Sequence, residues 1–277
     1  MRRLINLAPS RSAASLLMLA PFIALLLFYQ VSSNARLAEN AQDRLLPAFA
    51  TMGESMYKMA FTEDRRTGDY LFWVDPLARL ERLAIGVGTG AFTGLVVGIM
   101  AGLFPFARAT LSPSLAAVAM VPPLALLPIL FIVLGMDELS KVVLIAVGVA
   151  PFIARDLESR IQKLPVEELI KAQTLGAGSW LTLWRVVLPQ MLPRLLDAVR
   201  LSLGAAWLFL IAAEAIASTE GLGYRIFLVR RYLAMDVILP YVAWITLLAW
   251  LTDYLLRRLN DALFPWQALP GNNGEDQ

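Results

Sequence analysis

The stretch 171-KAQTLGAGSWLTLWRVVLPQ-190 reads unlike the apolar runs that surround it. It holds Lys171, Thr174, Ser179 and Arg185 among apolar residues, in a chain that is 58% hydrophobic and 17% charged. A Lys or Arg at the centre of a bilayer costs roughly 3 kcal/mol, so this stretch is no membrane span. Its punctuation predicts a definite shape instead. Pro165 suits the first turn of a helix, with Glu167 and Glu168 near the positive end of its dipole. That helix runs to about Leu175 and stops at Gly176, where glycine serves as a C-terminal cap. Ser179 then N-caps a second short helix through Val187, ended by Leu188 and Pro189. The product is helix, glycine turn, helix: too polar for lipid, yet carrying Leu175, Trp180 and Trp184, which need a partner surface. It reads as a docking element.

Outward from this insert lie long apolar runs, and a span needs about 20 such residues. Candidates are residues 13–31, 83–103, 114–134, 141–154, 192–216 and 237–256. The expected class is therefore an all-α polytopic membrane protein with six transmembrane helices. Ser33-Asn34-Ala35 offers a small-residue cleavage pattern, but the first apolar run exceeds the roughly 7–15 residues of a signal sequence. It reads as an uncleaved helix. Arg2, Arg3 and Arg11 precede it, and six spans put both termini on one side, so both termini are expected in the cytoplasm. Elsewhere the Lys and Arg residues divide almost evenly between the two sides, so orientation rests on the first helix.

Composition narrows the chemistry. With no Cys and no His, disulfides, thiolate nucleophiles, Cys/His metal sites and His acid–base catalysis are excluded. No catalytic, cofactor-binding or metal-ligating set is visible. A formal net charge of +2 gives no argument for nucleic acid. There is no G-x-x-x-x-G-K-[ST] phosphate loop, so ATP is not held here in the usual way.

Within the spans several residues stand out. Gly86, Gly90, Gly94, Gly98 and Gly102 recur every fourth residue, a small-residue stripe for close helix packing within one subunit or across two. Pro122, Pro123 and Pro128 interrupt the third span, where each removes a backbone donor; a structural kink and a pathway-lining kink both fit. Asp197 and Arg200 are three apart on one helix and able to neutralise each other, with a gate or pathway role as the alternative. Glu214 is an acid near the far end of its span with no neutralising neighbour in local sequence except Arg225 or Arg230, which marks it as a functional candidate. Between the first two spans, Leu45, Phe49, Met52, Met56 and Met59 form one helical stripe, with Pro47 suited to its first turn.

The insert also resembles a known signature. Permeases of bacterial binding-protein-dependent ABC importers carry Glu-Ala-Ala, three residues, Gly, nine residues, then Ile-x-Leu-Pro. Gly176 is followed at those distances by Val186, Leu188 and Pro189, and Ala172 holds the second Ala position. The family Glu falls on Ile170 and the first Ala on Lys171, unless one residue is lost and Lys171 stands for the Glu; Glu168 is a nearby acid. Residues 122–124, 134–141, 200–207, 213–214 and 220–224 are similar to the branch that handles nitrate, sulfonates, taurine and bicarbonate.

The resemblance implies a type I ABC importer permease fold in the bacterial inner membrane. It implies two cytoplasmic ATPase subunits, a second copy of the permease as a homodimer, and an external solute-binding protein. Docking to the ATPase falls on Glu168, Lys171, Ala172, Leu175, Gly176, Trp180, Trp184, Leu188 and Pro189. Pathway or gate positions are Pro122, Pro123, Pro128, Arg200 and Glu214. The expected organisation is a tail and first span (1–31), an external loop with an amphipathic helix (32–82), a core (83–257) containing the coupling segment (158–190), and a cytoplasmic tail (258–277). The function expected is passage of a small polar solute, nitrate, sulfonate, taurine or similar. The alternative is an ATP-independent channel or ion-driven carrier, which has no use for a docking insert.

Overall fold

The structure, a computed structural model, describes residues 10–40, 43–62, 70–217 and 232–268, together with 226 and 230. Among these every regular element is helical. The stretch 220–224 and the side chain of Arg225 lie outside the described residues. Two compact units emerge, one within Met1–Leu71 and Leu228–Tyr241, the other within Phe72–Phe227 and Val242–Gln277.

In the first unit, α1 (Arg11–Glu39) starts at Ser10, whose hydroxyl accepts the Ala13 N–H at 3.3 Å. Leu16, Phe22, Leu25, Phe28 and Val31 are all exposed on it. A helix apolar on every side matches lipid rather than water. The chain then folds back along α1: the Tyr29 hydroxyl donates to the Pro47 carbonyl at 2.7 Å and the Ser33 hydroxyl to that of Leu46 at 2.9 Å. In this turn the Leu45 N–H holds the Asp43 carboxyl below the usual carboxylate range, with Arg36 adding to it. Helix α2 (Phe49–Phe61) follows. Pro47 lies before its Ala48 N-cap rather than in its first turn. Met52 is buried and Met56 and Met59 are half-buried, so the stripe does mark the covered side, while Leu45 lies outside the helix and Phe49 is exposed.

The second unit is organised around α6 (Glu138–Gln162). Helix α3 (Leu71–Leu103) lays its glycine stripe on it. A Cβ added at Gly86, Gly94 or Gly102 meets the Cβ of Ile145, Ile153 or Ile161 at 2.8, 2.9 and 2.7 Å. At Gly98 it meets the Ala154 carbonyl oxygen at 2.8 Å. The stripe therefore packs within one subunit. On another side of α6, Gly148 admits the ring of Phe209 from α9 (Leu188–Ala217). Leu144, Ile145, Val149, Ile153 and Leu157 are buried between.

The stripe makes a stability prediction. Gly98→Ala puts a methyl against backbone that cannot swing aside, and overpacking of this kind costs about 1–3 kcal/mol. Gly88 has nothing within 4 Å of the same position, so Gly88→Ala is expected to be neutral or stabilising through helix propensity. Melting of the two variants in one detergent checks this. Equal melting temperatures would remove the close-packing account.

The third expected span, residues 114–134, is not one helix. Helix α4 (Pro105–Ala119) ends, a 3₁₀ turn covers Pro123–Leu126, and α5 (Leu127–Leu134) leaves with a bend of 83°. Pro122 and Pro123 offer no N–H to the carbonyls of Val118 and Ala119, so the α-helical ladder stops there. Pro128 kinks nothing, since it sits in the first turn of α5 where its missing N–H is not needed. Among the described residues four helices are long and apolar enough to cross a membrane: Ser12–Glu39, Arg79–Leu103, Ser179–Ile216 and Met235–Leu263. The bent pair makes up to five. The expected span at 141–154 lies in α6, whose apolar centre is framed by Glu138, Lys141, Arg155 and Asp156.

Candidate functional site

The insert has the predicted first half. Helix α7 (Val166–Thr174) follows Pro165, which is its N-cap, with Glu167 and Glu168 in its first turn. Gly176 has φ +83°, and it donates to the Gln173 carbonyl at 2.9 Å while Ala177 donates to that of Ala172 at 3.0 Å. This pair of bonds is the Schellman closure, which needs a residue comfortable at positive φ. Lys171 is exposed in the last turn, and Glu168 accepts from the Gln190 side chain at 2.8 Å.

The second half differs. Gly178, not Ser179, is the N-cap of α8 (Ser179–Thr182), and the chain does not stop at Leu188 or Pro189. A π turn over Leu183–Val187 carries it straight into α9. The Leu188 N–H bonds to the Leu183 carbonyl, five residues back, and this wide turn absorbs the proline that follows. Ser179–Ile216 is thus one helix of 38 residues, about 57 Å at 1.5 Å per residue. At its start Leu175, Trp180 and Trp184 are 88%, 69% and 52% exposed. The two indoles meet edge to face at 5.7 Å. On α7, Ile170 and Val166 are exposed as well.

The charged candidates find partners that local sequence does not show. Arg200 lies 3.7 Å from Asp197, but its stronger contact is a two-pronged one with Asp253 of the last long helix, α10 (Met235–Leu263), at 2.9 and 3.2 Å. Asp197 accepts from Asn260 of the same helix at 3.2 Å. Glu214 is fully buried and is not alone. Arg79 donates to it at 2.8 Å and Arg82 at 3.3 Å, both from α3, seven and four residues before Gly86. Arg82 also pairs with Glu138, which pairs with Lys141 at 3.1 Å on α6. Three cations and two acids thus tie α3, α6 and α9 together at the end far from the insert.

The break between α4 and α5 opens a cleft of about 420 Å³ against α6, with Pro123 at its rim and Arg155 and Asp156 on its wall. Pro122 and Pro128 lie near it in sequence but do not line it.

Residues 94–268 match the family of binding-protein-dependent transport system inner membrane components. The chain belongs to that family. This permease is 36% identical over 198 residues to the taurine transport system permease protein TauC of Escherichia coli, covering 72% of each chain. It is 33% identical to the putative aliphatic sulfonates transport permease protein SsuC of Bacillus subtilis, over 68% of each. The bicarbonate transport system permease protein CmpB of Synechococcus elongatus is 31% identical over 68% of this chain and 71% of its own. In structure the permease resembles a chain of the MetNI methionine ABC transporter in an inward-facing conformation, with a TM-score of 0.54 and 21% identity. That likeness covers 69% of this permease and 94% of the other chain, and it shows the fold.

It is a multi-pass inner-membrane transport component and not an enzyme. The insert and Glu214 stand out in the sequence, whereas Arg79, Arg82 and Arg155 do not. A visible signal existed for the first two: a pair of arginines three apart at the mouth of a glycine-striped helix.

Proposed function

We propose that this permease is one of two identical subunits that form the pathway of an ABC importer for a small organic anion or zwitterion of the sulfonate and taurine kind, driven by two ATPase subunits and supplied by an external solute-binding protein. The observation that carries this is the exposed patch of Leu175, Trp180 and Trp184 at the head of one unbroken helix. Large apolar side chains presented this way mark a protein contact. Glu168, Lys171 and Ala172 shape its α7 side, and Gly176 sets the angle between the two short helices. Force applied there passes along α9 without a loop to absorb it, through the π turn of Leu183–Val187 that leads into Leu188 and Pro189. The relatives named for taurine, sulfonates and bicarbonate support the solute class.

Six crossings result if α4 and α5 count as one broken span and α6 as another; both termini then face the cytoplasm. Residues 158–190 form the coupling segment, 32–82 the external loop and 83–257 the core, with 1–31 and 258–277 carrying the tails. ATP is bound by the partner, and this chain takes no cofactor of its own. A carrier working without ATP gives no reason for the tryptophan patch.

Co-expression with the ATPase subunit, followed by purification from membranes and native mass measurement, checks the reading. The expected composition is two copies of this chain with two ATPase subunits. One copy beside an unlike permease would contradict the homodimer, and recovery with no ATPase would contradict the importer.

A further inference from the structure

We propose that the cleft at the α4–α5 break is an anion subsite in which Arg155 holds a carboxylate or sulfonate. This rests on the permease reading and adds a residue and a ligand chemistry to it. Gly148, Pro151, Phe152 and Arg155 fall at i, i+3, i+4 and i+7 along α6, so one helical stripe ends in the guanidinium. Arg155 makes no hydrogen bond or ion pair with other described residues. Its acidic neighbours are already engaged: Asp156 with Arg160 at 2.7 Å, and Glu158 with Ser112 and Gln162. An exposed guanidinium with no ion-pair partner among the described residues therefore lies at a cleft of about 420 Å³, inside the usual size range for small-molecule sites. The cleft wall also carries the Arg160-paired Asp156.

Both walls supply the complement, Ala119 from α4 and Val147 from α6. Pro123 leaves the carbonyl of Ala119 without its α-helical donor, and Pro151 does the same for Val147; both residues line the cleft. A guanidinium at one end, apolar walls from Val118 and Phe152, and carbonyl acceptors elsewhere suit a short anion that also carries an ammonium or hydroxyl donor. The break between α4 and α5 thus leaves free the Ala119 acceptor that an unbroken span would satisfy internally, and Pro151 leaves the second one within α6. The cleft lies two turns from the end of α6, next to the coupling segment.

Because the chain has no cysteine, Val121→Cys places one thiol on the cleft wall. The rate of its alkylation by a neutral maleimide, read by the mass of this chain, is followed in nanodiscs with and without taurine, with ethylamine as the comparator lacking the sulfonate. Taurine is expected to slow alkylation saturably. Arg155→Gln is expected to raise the half-protecting concentration at least about tenfold, as for a lost charge-assisted bond, with Arg155→Lys in between. Ethylamine is expected to protect little.

Discs of neutral phosphatidylcholine and of anionic phosphatidylglycerol separate the sources of the anion. Slow alkylation in phosphatidylglycerol alone, with nothing added by taurine in either lipid, would assign the cleft to a lipid headgroup and overturn a solute site. Equal protection of wild type and Arg155→Gln would overturn the role of Arg155. The ATPase retained by each preparation is measured alongside. Absence of protection with the ATPase bound defeats the subsite alone, whereas loss of the ATPase from wild type defeats the permease reading.

Discussion

Glu214→Leu is expected to destabilise this permease more than any other single side-chain change in its core. The carboxylate is completely buried and faces two arginines, one of them 2% exposed. Removing one partner of a buried ion pair costs about 3–5 kcal/mol, because the remaining charge keeps its desolvation penalty and loses its compensation. A loss of that size lowers the melting temperature by several degrees or abolishes recovery of folded protein. Glu214→Gln keeps shape and one acceptor, so a smaller fall is expected from it.

The diagnostic variant is the double one. Glu214→Leu with Arg79→Leu removes both the acid and the cation it holds closest, and is expected to melt above Glu214→Leu alone. Arg82 keeps Glu138 in that background. If the double variant is as unstable as the sum of the singles, the pair is not coupled and the buried contact is not what holds α3 to α9. If Glu214→Leu melts like wild type, the cluster carries no stability at all. Transport by Glu214→Gln across pH then tells whether the charge serves function beyond packing. Normal uptake at normal stability would leave only a satisfied side chain.

What sequence made legible follows from how local each signal is. The glycine stripe is periodic within one helix, so its packing role could be read directly; the partner could not, because nothing in a single sequence says that α6 lies opposite. Gly176 is readable because a positive-φ cap is decided by six consecutive residues, Ala172–Ala177. Pro189 misleads for the complementary reason. A proline normally ends a helix, but here the preceding turn widens to an i−5 bond, a tertiary accommodation that leaves no mark in the sequence. The three prolines of 122–128 announced a break without its angle, and Pro128 turned out to start a helix instead of bending one. Glu214 looked solitary because its partners are 132 and 135 residues away. Sequence offers Arg200 only the partner on its own helix, whose distance is fixed by helix geometry, while Asp253 comes into reach only because α9 and α10 are neighbours. Arg155 drew no attention in a charged run, where only coordinates reveal which members are already paired.

The second large effect is expected at the opposite end of α9. Trp180→Ala with Trp184→Ala should release the ATPase subunit on purification while leaving the permease folded. Both side chains are more than half exposed, and their main mutual contact is with each other, so their loss opens no cavity in the chain itself. Aromatic anchors at the centre of an interface commonly contribute about 2 kcal/mol or more each, and two of them correspond to a weakening of roughly a thousandfold. Leu175→Asp is expected to act the same way by placing a charge where apolar contact is needed.

Gly176→Val tests the shape of the patch rather than its chemistry. A Cβ there meets nothing within 4 Å, so any effect comes from the backbone, which at φ +83° strains a β-branched residue by about 1–3 kcal/mol. Gly176→Asn, which tolerates that region, should retain most function. A docking surface predicts that valine uncouples ATP hydrolysis from substrate while asparagine does not, with asparagine melting near wild type and valine folding with no more than the small loss that its strain implies. A cap that only closes the bundle predicts no difference in coupling. If the tryptophan double variant holds its ATPase firmly and hydrolyses ATP in response to solute, force does not enter through this surface. The continuous helix from Ser179 would then be a structural strut, and α9 would have to receive its motion through α6, the helix against which Phe209 is locked.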